Sequence, residues 1–401
     1  MRVSVDYHNE RLELDLADAT VVGVWSGPSG ATGDVLASAV GQALEHPIDF
    51  PPCRRMVVPG DRVAIAVDDW QPGIEPVLHV LGDVLGQAGI EASDITVVAT
   101  PAAGLALREV LPRGIAFVLH DPANSRGLAY LATTKEGRRI YLNRSLTDAD
   151  VVIPVGRLGY DPVLGYRGAW SVIFPGLSDR ETNASYRERL VDDPPDRLTP
   201  RTRLDEAFEV SWLLGTQFHV GLVPGGSGLA EAVAGLAAPA REQGIRAVNE
   251  RWSFRAPARG ECVVAGIGGP GEVAGIDSLV EGLVSASRLV HHGGKIVALC
   301  RASGPIGPSL ERLIESGEVR SGAAALRGHE ADIDSVTGRR LAQVLAWADV
   351  FLYSQLDRQV VEDLGMIPLD HVDDGRRLAA RSSSCLLLSR AELTRATVRE
   401  P

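Results

Sequence analysis

The chain has 401 residues, of which 45% are hydrophobic, 23% charged and 5% aromatic, and its net charge is −12. That length suits two cores better than one, and the composition is that of a folded globular chain. The acidic balance argues against nucleic acid and against an anionic membrane surface, because both need a basic face on the protein; it leaves room for a local basic pocket around a small anion.

Met1 to Asp15 alternates charged and apolar residues without a continuous apolar core, so no secretory leader is expected. No apolar run reaches the roughly 18 residues of a membrane span. The four cysteines, Cys53, Cys262, Cys300 and Cys385, are far apart and show no CxxC spacing. Three of them sit in or beside apolar runs and read as small buried hydrophobes, and neither a disulfide framework nor a cysteine metal set is expected. A cytoplasmic protein is expected.

Short runs that are apolar throughout predict buried parallel strands at Arg62–Val67, Ile95–Ala99, Ile115–Leu119, Val151–Val155, Cys262–Ala265 and Lys295–Cys300. A further strand is expected near Val350. Between them lie helical patterns: Pro76–Ala88, stopped by Gly89, and Leu279–Val290, stopped by Gly293-Gly294. Strand and helix in alternation imply an α/β fold with parallel-type sheets. Val191–Arg203 carries three prolines and reads as a loop. The composition shift at Arg255–Arg259 places a boundary there, giving domains 1–258 and 259–401. The last segment, Ala391–Arg399, reads as a helix packing back on the first domain.

Three segments carry candidate chemistry. Asp68-Asp69-Trp70-Gln71-Pro72 ends a predicted parallel strand, where open α/β sheets bind ligands; an acidic cap for the next helix is an equal reading. Gly159–Pro175 offers Tyr166, Arg167 and Trp170 as a cationic and aromatic surface for a carboxylate, or forms a tightly packed interdomain loop. Gly266–Gly271 (GIGGPG) follows a strand and brings amides toward a phosphate. Its spacing is not GxGxxG, and a plain strand-to-helix turn is the alternative.

These segments, in this order, resemble the nickel-pincer-dependent lactate racemase family. The resemblance is carried by ALEHPIDFPP at Ala43–Pro52, PGDRVAIAVDD at Pro59–Asp69, ITVVAT at Ile95–Thr100, His120-Asp121 and Asn143-Arg144. It continues through DADVVIPVG at Asp148–Gly156, GYRGAWSVIFPG at Gly165–Gly176, LDEAFEV at Leu204–Val210 and the Gly293-Gly294 turn. The family implies two α/β domains with the site in an interdomain cleft. It also implies a nickel pincer nucleotide attached through a lysine, a histidine on the metal, and two histidines as acid and base.

Position by position, the chain departs from that pattern. The strand-end arginine is replaced by Gln71, and Pro101-Ala102-Ala103 puts alanine where a catalytic histidine belongs. The second catalytic histidine falls on Asp161, the cofactor lysine on Ser171, and the metal-ligand histidine on Tyr186 or Arg187. A Gln-x-x-Lys pair becomes Ser278 and Glu281. Serine cannot make the lysine's covalent link, alanine moves no proton, and Ni²⁺ favours imidazole or thiolate donors. Of the nine histidines, the adjacent His291-His292 point apart, His219 sits in an expected strand, and the others form no cluster.

The expectation is therefore a family member without nickel-pincer chemistry and without another cofactor or metal, binding a small anionic, hydroxy-acid-like metabolite in the cleft. Asp68, Gln71, Tyr166, Arg167, Trp170 and Ser171 are its candidate ligand-binding residues, with Asp161, Tyr186 and Arg187 as candidate catalytic groups. Two alternatives stand beside it. One is a repurposed enzyme using carboxylate, phenol and guanidinium groups; the other is an active 2-hydroxy-acid racemase or epimerase.

Overall fold

The computed structural model describes residues 1–68, 73–101, 104, 106–188, 190, 202–272 and 274–399. The chain divides into two compact units, one joining Met1–Pro28 to Arg251–Pro401 and the other comprising Ser29–Glu250. Composition alone suggests a single division near residue 258. The structure instead groups residues 1–28 with the C-terminal segment, because a strand in the first segment pairs with one in the last.

In the Ser29–Glu250 unit the described strands are β4 (Val63–Val67), β5 (Ile95–Ala99), β6 (Ala116–Leu119), β7 (Leu128–Thr133) and β8 (Arg139–Asn143). They continue with β9 (Val151–Arg157), β10 (Gly159–Asp161), β11 (Gly165–Arg167), β12 (Phe218–Pro224) and β13 (Leu229–Leu236). The main sheet has the order β13-β12-β9-β4-β5-β6. All its pairings are parallel except β12 with β13. Val63, Ile65 and Val67 face one core, with helices Gly33–Glu45 and Ile74–Gln87, while Ala64 and Ala66 face another with Leu146 and Val172. Burial on both faces explains why the strand is apolar without alternation. Gly89, at φ 89°, provides the expected stop beyond the Ile74–Gln87 helix.

The other unit contains β1 (Arg2–Tyr7), β2 (Glu10–Asp15), β3 (Val21–Trp25), β14 (Ser253–Ala256) and β15 (Gly260–Gly266). It is completed by β16 (Val290–Leu299), β17 (Asp349–Tyr353), β18 (Ile367–Pro368), β19 (Cys385–Leu388) and β20 (Arg395–Val398). Its parallel sheet has the order β18-β17-β16-β15-β19-β3. Val263 and Ala265 face the core shared with helices Ile276–Ser287 and Ser335–Trp347. Cys262 and Val264 face the opposite one, where Val3, Val5, Leu12 and Leu14 of the β1–β2 hairpin pack. All four cysteines are buried and free.

Two expected elements change. The helix expected over Leu279–Val290 ends at Ser287, and Val290 already begins β16, which contains Gly293-Gly294. The expected terminal helix is a short 3-10 turn, Ala391–Leu393, followed by β20, which pairs with β14 inside the same unit. A strand satisfied by a partner well over a hundred residues away leaves little local signal. Of the expected loop Val191–Arg203, residues 191–201 lie outside the described residues, and Arg203 opens helix Arg203–Leu213 behind a Thr202 cap. Among the described residues no helix is long and apolar enough to cross a membrane.

One close approach seats the segment after β11 against β9. A Cβ on Gly156, near the end of β9, would lie 2.4–2.6 Å from the Gly168 carbonyl and the Ala169 nitrogen. Only a glycine lets the backbone at 168–169 rest on the strand. Gly156→Ala is expected to cost at least about 2 kcal/mol, because the collision is with backbone and not with a side chain that can swing aside. Urea unfolding measures this, and a cost below about 0.5 kcal/mol would contradict the packing.

Candidate functional site

In the Ser29–Glu250 unit the chain runs β4, β5, β6 in one direction and then returns to place β9 on the other flank of β4. The elements that follow β4 and β9, helix Ile74–Gln87 and the segment through Val172, pack on opposite faces of the sheet, and open α/β sheets bind ligands in the crevice at such carboxyl ends. Asp68 follows β4 there and is 6% exposed. One carboxylate oxygen accepts the backbone N–H of Arg157, the last residue of β9, at 3.3 Å. The other accepts Arg167 Nη2 at 2.9 Å. The hydroxyl of Thr100, just past β5, donates to the Asp68 carbonyl. These bonds tie β4 to β9 and to Arg167 at the crevice; the cap position of the Ile74–Gln87 helix is Gly73, so the helix-cap reading of Asp68 is not what these bonds show.

Arg167 reaches this point on the β10–β11 hairpin. Gly159 opposes Arg167, Tyr160 opposes Tyr166, and Asp161 opposes Gly165. Directly opposed residues share a face and the face alternates along each strand, so Arg167 and Asp161 leave one side and the two tyrosines leave the other. Both tyrosine hydroxyls donate to Asn249 Oδ1, at 3.2 Å from Tyr160 and 3.0 Å from Tyr166. That acceptor anchors the hairpin on helix Ala237–Trp252. Asp161 Oδ1 accepts the N–H groups of Val163 and Leu164 at 2.8 and 2.7 Å, so it caps the hairpin's own turn.

The remaining candidates separate. Trp170 is 1% exposed and donates Nε1 to the Tyr166 carbonyl at 3.3 Å. It is packing, in place of the ligand-facing aromatic wall expected, because the close approach at Gly156 and Gly168 draws it into the core. Tyr186 belongs to another cluster: its hydroxyl donates to Glu206, which also accepts Arg138 Nε at 3.2 Å. The guanidinium carbons of Arg138 and Arg203 stand 5.7 and 5.2 Å from its ring centroid. Burial, then the bond to Glu206, pushes the Tyr186 phenol well above its usual range, which suits a brace rather than a proton donor. Arg187 is the last residue of helix Arg180–Arg187 and is half-buried. Gln71, Ala102 and Ala103 lie outside the described residues. Arg157, Tyr160, Thr100 and Asn249 are not among the expected site residues; the pairing of β4 with β9 and with β5, which the sequence does not show, brings Arg157 and Thr100 to Asp68.

Ser171 bears directly on the pincer nucleotide that the resemblance implies. Its hydroxyl donates to the Gly168 carbonyl at 2.8 Å and accepts the Gly168 N–H at 3.0 Å. A hydroxyl offers no amine for covalent attachment, and this one is already committed to a tight turn. Among the described residues no group of three or more histidine, cysteine or carboxylate side chains is arranged to hold a metal ion. The side chains at these positions do not fit a covalently held nickel nucleotide.

The two histidines buried among the described residues are structural. His120 is 3% exposed; its Nε2 bonds the Ser178 carbonyl at 2.8 Å and its Nδ1 meets Asn143 Nδ2 at 3.1 Å. The carbonyl requires Nε2–H, so Nδ1 accepts, and the ring is neutral. His219 is 2% exposed and pairs through Nε2 with Ser211 Oγ at 2.9 Å.

Asp68→Asn should cost about 3 kcal/mol, because it leaves a half-buried guanidinium without its counter-charge. In a double-mutant cycle with Arg167→Gln the two changes should be non-additive by about 1–2 kcal/mol, and strict additivity would deny the coupling. A pH effect is expected at His219. Burial, then the charge of Arg241, pushes its pKa down to about 3, against about 6.5 in the unfolded chain. The unfolded state binds the extra proton between those values, so stability is full above about pH 6.5 and falls as pH drops below it, by about 2–3 kcal/mol near pH 4.5. Urea midpoints across that range should show this fall, and His219→Gln should flatten it; an unchanged slope would remove His219 as the cause.

Residues 7–197 match the family model described as the lactate racemase N-terminal domain. A lactate racemase of Thermoanaerobacterium thermosaccharolyticum is 22% identical over 188 residues, an alignment that spans 44% of this chain and 44% of that protein, less than half the length of either. Among solved structures, the lactate racemase apoprotein of the same organism agrees with a TM-score of 0.76 at 16% identity, covering 100% of both chains. A Thermotoga maritima protein agrees with a TM-score of 0.64 at 13% identity, covering 93% of this chain and 100% of its own. At these identities the structural likeness speaks for the fold. The chain thus resembles the lactate racemases in a matched N-terminal domain, residues 7–197, and in a lactate-racemase-like fold.

Proposed function

We propose that this protein binds a small carboxylate metabolite of the hydroxy-acid class at the strand ends around Asp68, and that it does so without nickel-pincer chemistry. The observation that carries the reading is the Asp68–Arg167 pair at the strand-order reversal. A carboxylate with one oxygen on the Arg157 amide and the other on Arg167 holds the guanidinium in one place, and a fixed guanidinium fork is the side chain best matched to a carboxylate ligand. The position that the family gives to its covalent lysine holds Ser171, whose hydroxyl is bound to Gly168.

Binding, not catalysis, is the activity this arrangement supports. Asp161 is engaged with two amides and Tyr186 with Glu206, so neither is poised to carry a proton to or from a ligand. The curated relative's name favours the other outcome, an active 2-hydroxy-acid racemase.

Intact mass, nickel content and the ultraviolet-visible spectrum of protein made in cells that synthesise the pincer nucleotide separate the two. Unmodified mass without stoichiometric nickel is expected, together with calorimetric binding of lactate or a related 2-hydroxy acid that Arg167→Gln weakens by about tenfold or more, the loss of one charge-assisted contact. Added cofactor mass with nickel would overturn the reading in favour of an isomerase.

A further inference from the structure

The glycine-rich segment Gly266–Gly271 takes no part in the site above, yet it occupies the matching place in the other unit. There the chain runs β15, β16, β17, β18 in one direction and then returns to set β19 on the far flank of β15. The crevice at this reversal lies between the carboxyl ends of β15, which lead into the glycines, and of β19, which lead to Ser389 and Arg390.

The loop is built around charge. Gly269-Pro270-Gly271-Glu272 forms a turn closed by Glu272 N–H to the Gly269 carbonyl at 3.1 Å, with Gly271 at φ 77° as a type II turn requires. The Glu272 side chain folds back so that Oε2 accepts the Gly269 N–H at 3.0 Å and Oε1 accepts Arg390 Nη2 at 2.6 Å. Arg390 is 4% exposed and donates Nε to Glu392 Oε1 at 2.8 Å. Its guanidinium lies so close to Gly269 that a Cβ there would fall 1.5 Å from Nη1. Glu392 Oε2 is buried and has no hydrogen-bond partner among the described residues. Burial raises the Glu392 pKa against the opposing pull of Arg390 and of the Gly268 and Glu392 amides.

A strand-to-helix turn needs the proline and glycines, but neither a buried guanidinium nor a buried carboxyl oxygen left over; both carry a desolvation cost. An amide and a buried guanidinium converge on the Glu272 carboxylate, and Glu272, with its side chain 21% exposed, is more open to solvent than Arg390 or Glu392. We propose that this is a phosphate-binding site whose internal occupant is the Glu272 carboxylate, displaced when inorganic phosphate or a small phosphate monoester enters. The set favours phosphate over a second carboxylate, because a dianion with three or more acceptor oxygens uses all the donors and outcompetes a single negative charge.

Calorimetry with inorganic phosphate and with glycerol phosphate, at one fixed salt concentration, tests this on the full chain. Glu272→Gln keeps a group able to hold the Gly269 amide but removes the competing charge, so it should bind phosphate at least about tenfold more tightly than the unaltered protein. Adding Arg390→Lys should abolish that gain, with circular dichroism and thermal melting confirming that both variants fold. Equal affinity in the unaltered protein and Glu272→Gln would overturn the proposal, as would a gain that survives Arg390→Lys. Glycerol phosphate binding as well as the free ion points to an ester ligand, and binding of inorganic phosphate alone to the free ion; both support the site. Arg167→Gln should leave phosphate affinity unchanged. Loss of phosphate binding in that variant would overturn the proposal by placing the anion at the Asp68 site, whereas hydroxy-acid binding stands or falls separately.

Discussion

Where the order of parallel strands reverses, the carboxyl ends of two neighbouring strands bring together loops that belong to different crossovers, and polar groups gather there. The structure depends on this constraint twice. In one unit the reversal falls between β4 and β9, in the other between β15 and β19. Each gap is closed by an arginine held on carboxylate: Arg167 on Asp68, and Arg390 on Glu272 and Glu392. A carboxylate at a strand end meets amides already pointing out of the sheet, and a guanidinium can bridge the segments that follow the two strands.

These pairs exist only because glycine clears the space. Gly156 lets the chain at 168–169 lie on β9, and Gly269 lets the Arg390 guanidinium lie on the loop backbone. The same close approach that seats the Gly165–Gly176 segment pulls Trp170 into the core and turns the Ser171 hydroxyl onto Gly168. Arginine recruitment and the burial of groups that sequence offered as ligands are therefore one packing event. The buried histidines fit this picture: His120 braces the ends of β6 and β8 to Ser178, and His219 ties β12 to the Arg203–Leu213 helix through Ser211.

Much of the site is legible in the sequence, though not in its final grouping. Asp68 and Arg167 are recognisable as charge at a strand end and in a glycine-rich turn. Arg157 is not, because it looks like a residue beyond the strand Val151–Val155, and the strand runs two residues further. Tyr166 and Arg167 are neighbours in sequence but leave opposite faces of a hairpin, so only one reaches Asp68. Asn249, which fixes the hairpin through two phenols, lies more than eighty residues from either and carries no local signal.

What the amino-acid sequence determined by itself is the local and the periodic. Apolar runs such as VAIAV and ITVVA are strands buried on both faces, a glycine ends the helix at Gln87, and the ordered family segments declare an α/β fold. Those features arise from side-chain period and backbone freedom, which act over a few residues. The tertiary structure alone decided the grouping of residues 1–28 with 251–401, the conversion of the terminal segment into β20, and which charges meet at the two reversals. Each depends on strand pairing between residues tens to hundreds of positions apart, where the stabilisation comes from the partner and leaves no period in the sequence of either strand.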